Sequence, residues 1–173
     1  MAVRHYFDPT SDLYHGGFQC LETCLRMMLE YRNITATQEA ICWRTKPDRD
    51  FGTPPINGIQ ACHALGAHAE QFTGTSEAEA IAFLKEQSPC IAFLNAGVLH
   101  GSAPLEYGHA VVVLPPEEDR VLFHDPCRKT GGSRQRTETG RFLKAWVAYA
   151  PSNNVEPQDS VDVQYRYIGM VVK

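Results

Sequence analysis

Apolar side chains between Cys20 and Arg32 recur at Leu21, Cys24, Leu25, Met28 and Leu29. Steps of three and four residues lay them along one face of a helix. Met27 and Tyr31 add a second apolar stripe, which predicts a helix buried on more than one side. Glu22, Arg26 and Glu30 are left as its polar line at i, i+4 spacing. A second helix is expected after Thr35, with Gln38 completing a capping box. Thr53-Pro54-Pro55 opens a third, because proline is favoured in a first turn, and Gly66 marks its end. A fourth starts at Ser76, with Glu79 three residues on, and carries Ala80, Ile81, Phe83 and Leu84.

The pattern then changes period. Cys90 to Leu94 and Ala110 to Leu114 are short, continuous apolar runs, the signature of buried strands. Arg120 to His124 follows the second run after a turn containing Glu117, Glu118 and Asp119, so the pair reads as an antiparallel hairpin. Gly131-Gly132-Ser133 reads as a loop, Phe142 to Tyr149 as helix giving way to strand, and Val163 to Val172 as a closing strand. Helices first and strands later predict an α+β fold, with an N-terminal helical layer packed on a C-terminal antiparallel sheet.

The chain has 173 residues, with 43% apolar and 21% charged side chains. That length and composition suit one globular domain, expected to span residues 1–173, able to bury roughly 70% of the surface its unfolded chain exposes. A net charge of −4 argues against a general nucleic-acid binder. No apolar run reaches the roughly 18 residues of a membrane span, and the first residues lack the apolar core of a signal peptide. The six cysteines, Cys20, Cys24, Cys42, Cys62, Cys90 and Cys127, include no C-x-x-C pair. Reduced thiols in a cytoplasmic protein are therefore expected.

Cys20 stands at the start of the long first helix. Unpaired backbone N–H groups and the positive end of the helix dipole favour a thiolate there. Taken alone, such a cysteine is more often a small apolar residue in the core. Two further features change the balance. His109 opens one strand of the expected hairpin and Asp125 closes the other, so their side chains can meet at one end of the sheet. A carboxylate holding an imidazole that faces a thiol is the orienter–base–nucleophile arrangement. Cys24 is a competing nucleophile, but it falls a turn inside the helix with its side chain toward the core. Cys20 and Cys24 could ligate a metal with His15 or His109; two thiolates on consecutive turns are more often core cysteines, and no metal or organic cofactor is expected. His63 and His68, at a helix end, read as surface or capping residues. Arg128, Lys129, Arg134, Arg136 and Arg141 read as a solvated basic loop, with a site for an acidic substrate segment as the alternative.

These residues resemble the motifs of papain-like cysteine peptidases, in particular those that process double-glycine leaders of bacteriocins and their stand-alone relatives. Cys20 followed by Thr23, Met27 and Tyr31 is similar to the first motif. Gly52-Thr53-Pro54-Pro55 leading to Leu65-Gly66 is similar to the second segment, and Pro89 to Asn95 to the strand before the histidine. Gly108-His109-Ala110-Val111-Val112-Val113, with Asp125-Pro126 sixteen residues after the histidine, resembles the catalytic histidine and aspartate motifs. Phe142 to Trp146 resembles the closing helix. The resemblance covers roughly residues 14–150. It implies a papain-like fold and a Cys20–His109–Asp125 triad that cleaves an amide of a peptide or protein substrate through an acyl-enzyme. Two positions depart from the family. Leu21 stands where glycine usually follows the nucleophile, and Tyr14 where glutamine usually donates to the oxyanion. His15 and Gln19 are the nearby candidate donors, Gln19 from a different place because it adjoins Cys20, and the backbone N–H of Cys20 supplies part of the hole. Losing a side-chain donor costs about 2–4 kcal/mol of transition-state stabilisation. A glutamine deamidase or acyltransferase on the same triad, and a catalytically weak peptide-binding module, are the rival expectations.

Overall fold

The computed structural model describes residues 19–48, 52–101, 108–126, 132–147 and 167–173. Helices α1 (Cys20–Tyr31), α2 (Gln38–Thr45) and α3 (Pro55–Ala64) come first. They are followed by β1 (Ala69–Gly74), α4 (Glu77–Gln87), β2 (Cys90–Asn95) and α5 (Ala96–His100). Then come β3 (Gly108–Val113), β4 (Arg120–Asp125), β5 (Gly132–Glu138), α6 (Thr139–Val147) and β6 (Tyr167–Val172). The strands form one sheet in the order β1-β6-β2-β3-β4-β5, and every pairing is antiparallel. The α+β architecture expected from the sequence is the one observed.

The sheet is covered on both faces, not one. Ile91, Phe93, Ala110, Val112, Leu122 and Met170 pack under α1 and its neighbours Ile41 and Cys62. The alternate positions, Cys90, Ala92, Leu94, Val111, Val113 and Phe123, meet α4, α5 and α6 on the opposite side. Continuous apolar strands such as β2 follow from this, since both of their faces need a partner. The second core is aromatic. Trp146 is fully buried, and Phe72, Phe83, Phe142 and Tyr167 have ring centroids 5.4–6.3 Å from it. Its indole N–H donates to the Ile168 carbonyl at 2.7 Å.

Several expectations need correction. α2 is capped by Thr37, whose hydroxyl accepts from the Ala40 N–H at 3.1 Å. Thr35 and Gln38 therefore form no capping box; Gln38 is the first helical residue and turns inward. Glu22 does not belong to a solvated line but is completely buried. Gly132-Ser133 opens β5 instead of a loop. β1 and α5 were absent from the sequence pattern. Phe142 to Val147 is helix, while the expected strand residues Ala148 and Tyr149, and the first part of the closing strand before Tyr167, lie outside the described residues.

Replacing Trp146 with alanine should cost about 3–5 kcal/mol of unfolding free energy in urea titrations, because it empties a fully packed site. Trp43→Ala, at a residue 79% exposed, should change it by no more than about 0.5 kcal/mol.

Candidate active site

The end of the sheet where β2 finishes and β3 begins collects the polar residues. Asn95 pairs with Gly108 across β2 and β3, and His109 lies opposite Leu94. β3 and β4 pair with Val112 opposite His124, so Asp125 follows toward the same end as His109. A β-bulge between Phe123 and Asp125 interrupts the β4–β5 ladder. Arg134 on β5 takes the left-handed backbone conformation at φ 51° there, and its N–H donates to His124 Nδ1 at 3.1 Å. Bulges re-aim the side chain beside them, here that of Asp125.

Asp125 is completely buried. Its Oδ1 lies 2.7 Å from His109 Nε2. A carboxylate has no proton to give, so the imidazole N–H donates. The Cys20 side chain is the other group that acts on the His109 ring. With Nε2 on Asp125, Nδ1 is the ring nitrogen that serves the sulfur. Burial works against a charge on His109, but the Asp125 hydrogen bond, the Cys20 side chain and the charges of both partners outweigh it. The imidazole is held well above its ordinary value.

Cys20 is the first residue of α1, half-buried against the first core. The helix starts there because Gln19, at φ −104° and ψ 27°, leaves the helical region, and its carbonyl accepts the first helical bond from the Thr23 N–H at 3.1 Å. The Thr23 hydroxyl donates to the same oxygen. Gln38, from α2, donates its amide to Thr23 Oγ1 at 3.3 Å and to Gln19 Oε1 at 3.5 Å. Gln19 is thus turned by α2 as well as by α1.

The other described thiols are poor rivals. Cys24 is fully buried, and desolvation, followed by the nearby Cys20, Asp125 and Glu22, pushes its thiol far up. Burial raises Cys62 and Cys90 to about 12 and Cys42 to about 11. Among the described residues, no group of three or more His, Cys, Asp or Glu side chains is placed to hold a metal ion. His63 and His68 are exposed, with rings stacked at 5.6 Å. Arg134, Arg136 and Arg141 are exposed; His15, Tyr14, Cys127, Arg128 and Lys129 lie outside the described residues.

The structure thus brings together Cys20, His109 and Asp125, with Gln19 beside them in sequence. One further contact to the site, and one buried acid next to it in sequence, lie outside the sequence pattern. His100, the last residue of α5, has its Nε2 2.8 Å from Asp125 Oδ2. Glu22, two residues after Cys20, accepts from the Thr53 hydroxyl, while its Oε2 is buried with no hydrogen-bond partner. The signal for His100 was the Asn95 cap that starts α5, whose Oδ1 accepts from the Val98 N–H at 3.0 Å. Burial raises the Glu22 carboxyl, against the lowering effect of its Thr53 and Thr45 hydrogen bonds.

Comparison with known proteins adds a lineage to this geometry. The model of the Peptidase_C39 like family matches residues 7–153. No curated protein matches the chain. A double glycine motif protease from an AMS/PCAT transporter, solved in complex with the leader peptide, superposes with a TM-score of 0.66 at 16% identity, covering 98% of this chain and 90% of that one. The peptidase domain of Streptococcus ComA, a bi-functional ABC transporter involved in a quorum sensing pathway, gives 0.65 at 15% identity, covering 97% and 98%. A C39-like peptidase from Bacillus anthracis gives 0.61 at 18% identity, covering 96% and 94%. The papain-like fold expected from the sequence is the fold of these neighbours.

The raised Glu22 carboxyl has a definite sign. Its folded state keeps the proton to higher pH than the unfolded state, so stability falls as pH rises from the unfolded value of about 4.5 through the folded one. Glu22→Gln removes this loss and still accepts from Thr53. In urea titrations the variant should gain on the parent at neutral pH, and the gain should shrink once the pH drops below the unfolded value. Equal effects at both ends would contradict an ionising, desolvated carboxyl.

Proposed function

The chain belongs to the Peptidase_C39-like family, and on that footing we propose that it is a thiol-dependent peptidase whose nucleophile is Cys20, whose base is His109 and whose orienting group is Asp125. The observation that carries this proposal is the His109 ring bonded to the buried Asp125 carboxylate, with Cys20 near enough to raise its proton affinity. One structural neighbour was solved with a leader peptide, which supports a peptide substrate. The substrate proposed here is accordingly a peptide segment whose scissile bond is presented to Cys20 at the start of α1.

His109 takes the proton of Cys20 onto Nδ1. The thiolate attacks the scissile carbonyl carbon, a C–S bond forms, and the carbonyl π electrons move to oxygen. The negative oxygen is stabilised by the N–H of Cys20 at the helix start and by the Gln19 side-chain amide, whose Oε1 is turned toward Gln38. The tetrahedral intermediate collapses, the C–N bond breaks, and His109 gives its proton to the departing amine. Water then attacks the thioester while His109 removes its proton. The second tetrahedral intermediate collapses, the C–S bond breaks, the carboxylic acid leaves, and the proton held by His109 goes back to the sulfur, which restores the Cys20–His109 pair. Throughout, Asp125 keeps Nε2–H in place, so Nδ1 is the nitrogen that exchanges the proton. Burial of Asp125 and His109 strengthens this contact, because fixed charges interact more strongly away from water.

The test needs no knowledge of the natural substrate. Incubation with a peptide library, read by mass spectrometry, should give cleavage that Cys20→Ala abolishes and Cys24→Ala retains. His109→Ala should slow turnover by about a hundredfold or more, the usual worth of a positioned base. Cleavage that persists in Cys20→Ala would remove the proposal.

A further inference from the structure

His100 holds the second oxygen of Asp125, and no step above uses it. We propose that His100 is a positioning residue, whose Nε2–H fixes Asp125 Oδ2 so that Oδ1 stays aimed at His109. The inference rests on the nucleophile–base assignment just made.

The two imidazoles reach the carboxylate from different elements. His109 comes from β3 at 2.7 Å and His100 from α5 at 2.8 Å. The carboxylate accepts both bonds, so each ring presents Nε2–H to it. The terminal torsion of an aspartate is soft, with broad wells. A bond to the second oxygen opposes the swing of a carboxylate about its Cβ–Cγ bond, and His100 makes that bond. The bond matters here because Oδ1 selects which His109 nitrogen carries the proton toward Asp125, and so which nitrogen serves Cys20.

His100 is itself held. Asn95 caps the start of α5, Leu99 is buried in the second core, and Gly101 ends the helix at φ +69°. The Arg141 guanidinium from α6 lies against Gly101, where an added Cβ would fall 2.6 Å from its Nη2. The His100 side chain is 15% exposed, so most of its ring is removed from water. Among the described residues, His109 on β3 and His100 on α5 bond the carboxylate, Cys24 on α1 feels its charge, and Cys20 on α1 meets it through His109; Arg141 on α6 faces Gly101 beside His100.

The experiment follows carboxamidomethylation of Cys20 by iodoacetamide in the full chain, mapped by peptide mass from about pH 5 to about pH 10. His100→Phe keeps the ring bulk and loses the donor; His100→Gln keeps an N–H donor. In His100→Phe the Cys20 rate near pH 6 should fall about tenfold, as expected for a lost hydrogen bond to a charged group, and near pH 10 it should stay within about twofold of wild type. His100→Gln should stay within about threefold of wild type throughout. His100→Ala, a second variant without a donor, should match His100→Phe. A His100→Phe rate equal to wild type near pH 6, or a His100→Gln loss as large as that of His100→Phe, would overturn the inference, since packing alone would then explain the residue. His109→Ala separates the two levels. An unchanged profile in His109→Ala removes the base assignment itself, whereas an altered profile there with a wild-type profile in His100→Phe removes the role of His100 alone.

Discussion

A carboxylate with no exposed surface is tolerated at the end of β4 because the protein supplies hydrogen bonds in place of water. Asp125 receives His109 on one oxygen and His100 on the other. Burying an ionised carboxylate without such partners would be prohibitive. The rest of the architecture can be described by what it does to this group. β3 and β4 bring His109 and Asp125 to one end of the sheet, α1 delivers Cys20 there, and α5 delivers His100. The charge on Asp125 is felt by the His109 ring, whose proton affinity it raises against the opposing pull of burial.

The two helical layers divide the work. α1, packed on β3 through the first core, brings the sulfur to one side of the histidine. α5, packed through the aromatic second core, brings His100 to the carboxylate from the other. A sheet covered on both faces has little freedom to shift, so distances at its end are set by close packing on either side. The same packing leaves the buried thiols inert, since desolvation pushes Cys24, Cys62 and Cys90 up, while Cys20 is the described cysteine that acts on the His109 ring.

What could be read from the sequence had a strong local signal. The five apolar positions of α1, the proline start of α3 and the serine cap of α4 each announced their element. The Cys20, His109 and Asp125 candidates emerged because a helix start and two strand ends were legible. What escaped had weak periodicity or depended on tertiary contact. β1 and β5 are edge strands, with largely exposed polar side chains, so neither shows an apolar alternation. α5 has only five residues, too few for a helical repeat, and His100 was missed with it. Glu22 occupied a position that spacing assigned to solvent; α3 and the segment before it cover that face of α1, and Thr53 supplies the bond that makes its burial tolerable. The spacing of Thr35 and Gln38 fits a capping box, yet the contacts of Gln38 to Thr23 and Gln19 outweigh that local pattern.

The most direct measurement is a nitrogen NMR titration of the His109 ring. In the wild-type protein the ring should remain protonated well above an ordinary histidine value of about 6.5, with Nε2–H retained in the bond to Asp125, and its titration should move downward in Cys20→Ala. A His109 that titrates as an ordinary histidine and ignores the loss of the Cys20 sulfur would contradict the coupling between sulfur, imidazole and carboxylate.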